Sequence, residues 1–292
     1  MRFVKSHGAA NDFVLIEDLD GTIEPTSSFV QVVCDRHRGV GGDGFIRIAR
    51  GDASGGAGAD FFMDYWNADG AVAEMCGNGI RCLAKYVGDR GIATDDTIRV
   101  DTRAGIKTVT LHRDADGIVE RVRVDMGPPM LERAAIPLAG DGDPLHQPVG
   151  AGGRSFDAAC VSMGNPHAVL FVDDLASVPF EQLGPTIEML PLFPQKTNVE
   201  FVQVLSDAEV RMRVWERGVG ETMACGTGAC AVAVAANLRG FTGKHVHVHL
   251  PGGTLEIEWT DETVFMTGPA DEAFSGELSP AISSLLRVTT KG

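Results

Sequence analysis

The chain has 292 residues, 44% of them apolar and 22% charged, the proportions of an ordinary globular protein with one large or two average domains. Its formal net charge is −15 and no cluster of Lys and Arg interrupts it, which argues against nucleic acid as a partner, since phosphate binding needs grouped cations. No apolar run reaches transmembrane length, and the opening Met1-Arg2-Phe3-Val4-Lys5 lacks a signal-peptide layout. The expectation is a cytoplasmic protein with no membrane partner, whose six cysteines stay reduced.

Taken in chain order, short β-branched runs alternate with glycine-rich turns. A strand is expected at 13–17, a helix at 27–35, then strands at 45–49 and 60–66. The Gly/Ala/Ser-rich stretch 51–59 reads as a flexible hairpin insertion. A helix at 79–87 follows the second of these strands and ends at Gly88, a natural C-cap. Strands are expected at 97–101, 107–111, 121–125, 168–172, 199–205 and 209–215. A second helix at 228–238 ends at Gly240, and strands at 245–250, 253–259 and 263–267 follow. A last helix is expected at 280–286.

Each of the two longer helices starts just after a Cys-Gly-x-Gly tetrapeptide, within Met75-Cys76-Gly77-Asn78-Gly79 and Ala224-Cys225-Gly226-Thr227-Gly228. Near-copies half a chain apart imply duplication. The expected fold is therefore mixed α/β with two pseudo-symmetric halves, each a mixed β-sheet wrapped around a central α-helix, with the active site in the cleft between them. Gly127-Pro128-Pro129 breaks the chain between the halves. This gives an N-terminal half at 1–126, to which 274–292 returns, and a C-terminal half at 127–273.

A cysteine at a helix start sits beside unsatisfied N–H groups and a partial positive charge, a setting that favours thiolate. The glycines allow close approach, so the same N–H groups can hold a carboxylate. Two such thiols, Cys76 and Cys225, suit inversion at a carbon bearing hydrogen: one thiolate removes the proton and the opposite thiol delivers another. Helix N-termini aimed at the carboxylate would stabilise the developing enediolate, so no cofactor is expected. Cys34, Cys82, Cys160 and Cys230 read instead as small buried apolar residues.

These motifs, together with Asn67-Ala68-Asp69-Gly70, Gly164-Asn165-Pro166-His167, Thr197-Asn198-Val199, the run Glu216-Arg217-Gly218 into Cys225, and the opening His7-Gly8-Ala9-Ala10-Asn11-Asp12-Phe13, resemble diaminopimelate epimerase over almost the whole chain. The resemblance implies a cofactor-independent, homodimeric isomerase that interconverts LL- and meso-2,6-diaminopimelate for lysine and peptidoglycan synthesis, with Cys76 and Cys225 as the acid/base pair. It implies that Gly77, Asn78, Gly226 and Thr227 hold the reacting carboxylate. Asn11, Asn67, Asn165 and Asn198 would supply polar contacts, Arg217 would take the distal carboxylate and Glu216 an ammonium, and His167 and Glu216 would tune the thiols. No metal is implied. Two departures stand out: Gly44 where some relatives carry Gln, and Ala10 where the opening motif often has Gly.

His245, His247 and His249 alternate on one strand face and read as a solvated face, because ligands at two-residue spacing splay. The loop from Gly39 to Gly44 lacks the Lys-Ser/Thr ending of a phosphate loop and reads as a turn. Two other readings compete. A proline racemase-like enzyme would share the thiol pair but leave Glu216, Arg217 and the Asn set without purpose, and a thiol redox sensor would not need the carboxylate-binding groups.

Overall fold

A computed structural model describes residues 1–51, 58–260 and 262–288. Most of the expected hairpin insertion, 52–57, lies outside the described residues. The chain divides into two compact units, Met1–Val124 with Gly268–Gly292, and Asp125–Thr267.

The chain opens with β1 (Arg2–Gly8), β2 (Asn11–Glu17), β3 (Ile23–Glu24), α1 (Ser27–Cys34), β4 (Gly44–Arg50), β5 (Phe61–Asn67), α2 (Gly77–Asp89), β6 (Thr97–Asp101), β7 (Lys107–Arg113) and β8 (Val119–Gly127). It continues through β9 (Gln147–Ala151), β10 (Arg154–Ser162), β11 (Pro166–Phe171), α3 (Phe180–Glu188), β12 (Asn198–Val204), β13 (Glu209–Glu216), β14 (Gly220–Thr222), α4 (Gly226–Leu238), β15 (His245–Leu250), β16 (Gly253–Trp259) and β17 (Val264–Pro269). The C-terminal segment adds β18 (Asp271–Glu277), α5 (Pro280–Ser283) and β19 (Arg287–Val288).

The two units repeat one topology. In the first, β18, β1 and β2 are successively antiparallel, β2 runs parallel to β4, β4 antiparallel to β5, β5 parallel to β6, and β6, β7 and β8 are again antiparallel. In the second, β9, β10 and β11 are antiparallel, β11 is parallel to β12, β12 antiparallel to β13, β13 parallel to β15, and β15, β16 and β17 antiparallel. Parallel neighbours need a crossover, and helices supply it at matching places. Thus α1 and α3 bridge the first parallel pair of each unit, and α2 and α4 bridge the second.

Within its own unit each of these later helices is wrapped by strands: α2 touches β1, β2, β4, β5, β7 and β18, and α4 touches β10, β11, β12, β15 and β16. The residues of α4 from Ala229 to Ala236 are all buried, and small side chains let strands close in from every side. The outer edge of α2 stays polar, where Lys85 pairs with Asp89 one turn on at 2.9 Å. Thr26 caps α1 by accepting the Phe29 N–H, and α1 buries Phe29, Val30, Val33 and Cys34 against Val14, Ile16 and Phe45.

Several local readings differ from expectation, among them the unforeseen strands β1, β9 and β10. Helix α3 went unforeseen because Pro185 lies inside it and masks the apolar spacing of Phe180, Leu183 and Ile187. Strand β18 is exposed along nearly its whole length, so it carries no alternation to read. The last helix is one turn, capped by Ser279, and the chain then leaves it to pair β19 with β3.

Candidate active site

Each cysteine is the N-cap residue of its helix, with extended backbone angles, and each helix begins two residues earlier than its sequence pattern implied. In the first unit the Cys76 thiol receives the Gly79 N–H at 3.4 Å and lies 3.7 Å from Asn11 Oδ1. Asn78, almost fully buried, donates from Nδ2 to that same Asn11 oxygen at 3.2 Å. A carboxylate fixes the orientation of Asn11, because its Nδ2 donates to Asp43 Oδ2 at 2.8 Å, which turns the carbonyl towards Cys76.

Behind Asn11 lies an ion network. Arg36 grips Asp12 through two nitrogens at 2.9 and 2.7 Å and reaches Asp43 at 2.8 Å, while Lys5 meets Asp12 at 2.6 Å. Burial alone would raise the Asp12 carboxyl, but the hydrogen bonds and charges of Arg36 and Lys5 hold it well below the usual carboxylate range. The glycine-rich loop after α1 has no N–H groups left for a phosphate: Gly39 donates to Asp35 O, Val40 and Gly41 to Val33 O, and Gly42 to Cys34 O.

In the second unit Cys225 is buried and its thiol lies 3.5 Å from Thr227 Oγ1. Asn165 Nδ2 donates to Thr227 Oγ1 at 3.3 Å, and Asn165 Oδ1 lies 3.1 Å from His167 Nε2. The other ring nitrogen of His167 is 2.6 Å from Glu200 Oε1, and both of those side chains are fully buried. On the far side, Glu216 accepts from Thr222 Oγ1 and meets the Cys225 thiol. Burial raises the Glu216 carboxyl, against the hydrogen bonds of Thr222 and Cys225.

The helix-start argument predicts a depressed thiol at both positions, and at Cys225 the structure reverses it. Burial pushes the Cys225 thiol well above its ordinary value, and the charges of Glu216 and Glu200 push the same way, against Thr227 Oγ1 and the Gly228 N–H. Desolvation and two carboxylates outweigh a helix terminus here. Burial likewise pushes the Cys34, Cys82 and Cys160 thiols up to about 12, as inert packing residues require.

Not every expected ligand group stands open. Asn198 is committed at both ends of its amide, donating to Pro166 O at 2.8 Å and accepting the Arg217 N–H at 2.9 Å. It braces the turn that carries Arg217, whose exposed side chain reaches Gln195 O at 3.3 Å. The histidines of β15 pair locally, His245 with Glu256 at 2.8 Å and His249 with Thr254 at 2.9 Å.

A diaminopimelate epimerase family model matches residues 3–132 and 159–272. The diaminopimelate epimerase of Pelotomaculum thermopropionicum is 50% identical over 281 residues, covering 95% of this chain and 98% of the relative. The diaminopimelate epimerase of Moorella thermoacetica is 49% identical, covering 95% and 99%. The chain belongs to the diaminopimelate epimerase family. Among solved structures, a probable proline racemase from Agrobacterium radiobacter K84 shares the fold with a TM-score of 0.71 at 15% identity, covering 96% of this chain and 93% of that one. A phenazine biosynthesis protein of the PhzF family from Bacillus anthracis aligns with a TM-score of 0.65 at 15% identity, covering 96% and 99%.

Against this epimerase pattern, both departures have a physical account. A Cβ on Gly44 would lie 2.7 Å from Tyr65 Cε2 and 2.8 Å from Trp66 O, so the ring of Tyr65 occupies the space a Gln side chain would enter. The Tyr65 hydroxyl donates to Oδ1 of the exposed Asn67 at 2.9 Å, which holds that amide by its carbonyl end. Ala9 and Ala10 form a two-residue hairpin turn between β1 and β2 with positive φ at both, 53° and 62°, a conformation that favours glycine.

Sequence reading missed Asp43, Tyr65, Glu188 and Glu200. Glu188 is nearly buried and accepts from Trp215 Nε1 at 2.8 Å and from Gly218 N at 2.9 Å, tying down the Glu216–Arg217–Gly218 turn from α3. The available signal was a carboxylate inside an apolar strand, as in the Asn198-Val199-Glu200-Phe201-Val202 run; a charge is seldom placed there without a partner.

Proposed function

We propose that the enzyme interconverts LL- and meso-2,6-diaminopimelate by two-base proton transfer between Cys76 and Cys225. The observation that carries this reading is the pair of N-cap cysteines on topologically equivalent helices, one beside neutral amides and the other beside carboxylates. A thiolate takes the α-proton as the C–H bond breaks and becomes a thiol. The electron pair moves into the substrate carboxylate as an enediolate, and the other thiol gives its proton to the opposite face and becomes the thiolate. Burial and the flanking carboxylates favour the protonated form of Cys225, and each thiol serves as base or acid according to which face of the α-carbon carries the hydrogen.

The N–H groups at the starts of α2 and α4, with Asn78 and Thr227, hold the reacting carboxylate and lower the barrier to the enediolate. The distal zwitterion calls for one fixed cation, one anion and amides. Arg217 meets its carboxylate, Glu216 its ammonium, and Asn11, Asn67 and Asn165 its remaining polar atoms, while Asn198 acts by holding Arg217. His167 and Glu216 set the protonation of Cys225. A homodimer in the cytoplasm completes the proposal, with light scattering as the check on its mass.

Proton NMR of LL-diaminopimelate in deuterium oxide with reduced enzyme tests it. Loss of the α-proton signal with appearance of the meso form, abolished in both Cys76→Ala and Cys225→Ala, is the expected result. Racemisation of proline with diaminopimelate untouched would overturn the substrate but keep the mechanism. No exchange with either amino acid would overturn both.

A further inference from the structure

Glu200 sits in the middle of β12 with its side chain fully buried against the start of α4. One oxygen, Oε1, is 2.6 Å from His167 Nδ1. The other, Oε2, is buried with no hydrogen-bond partner among the described residues. A buried carboxyl with one oxygen unmet is costly, and an apolar residue of similar size would avoid that cost. Something other than packing retains it.

The geometry at Gly228 shows what it faces. A Cβ there would lie 2.9 Å from Glu200 Oε1 and 3.3 Å from Cys225 Sγ, so the carboxyl and the thiol flank the same bare backbone position. A second connection runs through side chains: Glu200 to His167, His167 to Asn165, Asn165 to Thr227, and Thr227 to Cys225, at 2.6, 3.1, 3.3 and 3.5 Å. The amide orientation of Asn165 fixes the hydrogens along it. With Nδ2 donating to Thr227, its carbonyl faces His167 Nε2, which must then carry a hydrogen.

We propose that Glu200 is a positioning residue for the proton on Cys225, acting across Gly228 and through its hydrogen bond with His167. Burial raises the Glu200 carboxyl and His167 draws it back down, and the negative charge it carries opposes a second one at the thiol and so favours the protonated form of Cys225. The pair with His167 anchors the chain that ends on the sulfur. This deepens the two-thiol reading and rests on it. The groups facing Glu200 and Cys225 are His167 from β11, Glu216 from β13 and the thiol of Cys160 from β10, and the charge of Glu200 acts on both thiols in the same direction.

The test is alkylation of the reduced enzyme by iodoacetamide from pH 6 to 10, with Cys225 and Cys76 followed separately by peptide mass spectrometry, in wild type, Glu200→Gln and Glu200→Met. Removal of a like charge at this range shifts an ionisation by on the order of one pH unit. Cys225 in both neutral variants is therefore expected to alkylate at lower pH, about tenfold faster at pH 8, with the Cys76 profile unmoved. The alkaline limb of kcat/KM for diaminopimelate should shift down with it. If Glu200→Gln fails to fold, Glu200→Met carries the test. An unmoved or raised Cys225 profile in a folded variant would overturn the proposal, as would equal shifts at both thiols. Alkylation needs no turnover, so a wrong substrate would leave this result standing.

Discussion

Replacing Tyr65 by Phe removes one hydroxyl and nothing else. The ring keeps its edge-on contact with Phe13, with centroids 5.9 Å apart, and still fills the space beside Gly44. What is lost is the 2.9 Å bond that turns the Asn67 amide. Asn67 is exposed, so water can take over its carbonyl and no buried group is orphaned. A neutral hydrogen bond of this kind is worth about 1 kcal/mol net, which corresponds to about fivefold in an equilibrium constant. Steady-state kinetics on LL-diaminopimelate should show KM raised about fivefold, kcat within about twofold, and stability lowered by no more than about 1 kcal/mol. An unchanged KM would refute the claim that the Tyr65 hydroxyl orients Asn67 for the substrate. A tenfold fall in kcat at constant KM would refute it differently, by placing Tyr65 in the chemistry.

Other perturbations have equally definite outcomes. Ala10→Gly relieves a left-handed alanine, worth roughly 1–2 kcal/mol, at an unfolded-state cost of roughly 0.4–1 kcal/mol, so urea unfolding should show a net gain, and a loss would deny the strain. Glu188→Ala removes two hydrogen bonds to a charged acceptor, each worth about 1.5–3 kcal/mol, and frees the turn bearing Arg217; KM should rise at least about tenfold while Cys76 alkylation is unaffected, and an unaltered KM would detach Arg217 from the distal carboxylate. The Cys34, Cys82 and Cys160 thiols are pushed up to about 12 in the folded protein, from 9.0. Above pH 9 the unfolded chain sheds these protons first, so the thiols' contribution to stability should be constant below pH 9 and fall progressively towards pH 12. A Cys34→Ala, Cys82→Ala, Cys160→Ala triple variant should show a shallower fall, and an identical slope would refute the assignment.

Most strands were legible because apolar alternation and β-branched runs record burial directly, as in Val246, Val248 and Leu250 facing inward from β15, whereas β1, β9, β10 and β18 were not. The two helix starts were legible because a cysteine before Gly-x-Gly has little other structural purpose. Local order did not reveal the partners brought in by pairing. Glu200 reaches His167 because β11 and β12 run parallel with His167 opposite Asn198, a register that no stretch of sequence contains. Likewise Asp43 meets Asn11 only because β2 and β4 lie side by side, with Phe13 opposite Gly44. The electrostatics of Cys225 followed the same rule: the helix start is written locally, whereas the carboxylates that outweigh it arrive from other strands.

The place of β18 bears on how the protein is made. It is the last long strand of the chain, yet it pairs with β1 and takes in the first unit the position that β9 takes in the second. During translation the second unit, Asp125–Thr267, is a continuous segment whose strands have all left the ribosome once β17 has emerged. The first unit, though begun earlier, keeps an open edge along β1 until Asp271–Glu277 is synthesised. Order of synthesis and order of completion are therefore reversed. The nascent N-terminal half, with an unpaired strand on offer, is the stage at which a chaperone would have most to protect.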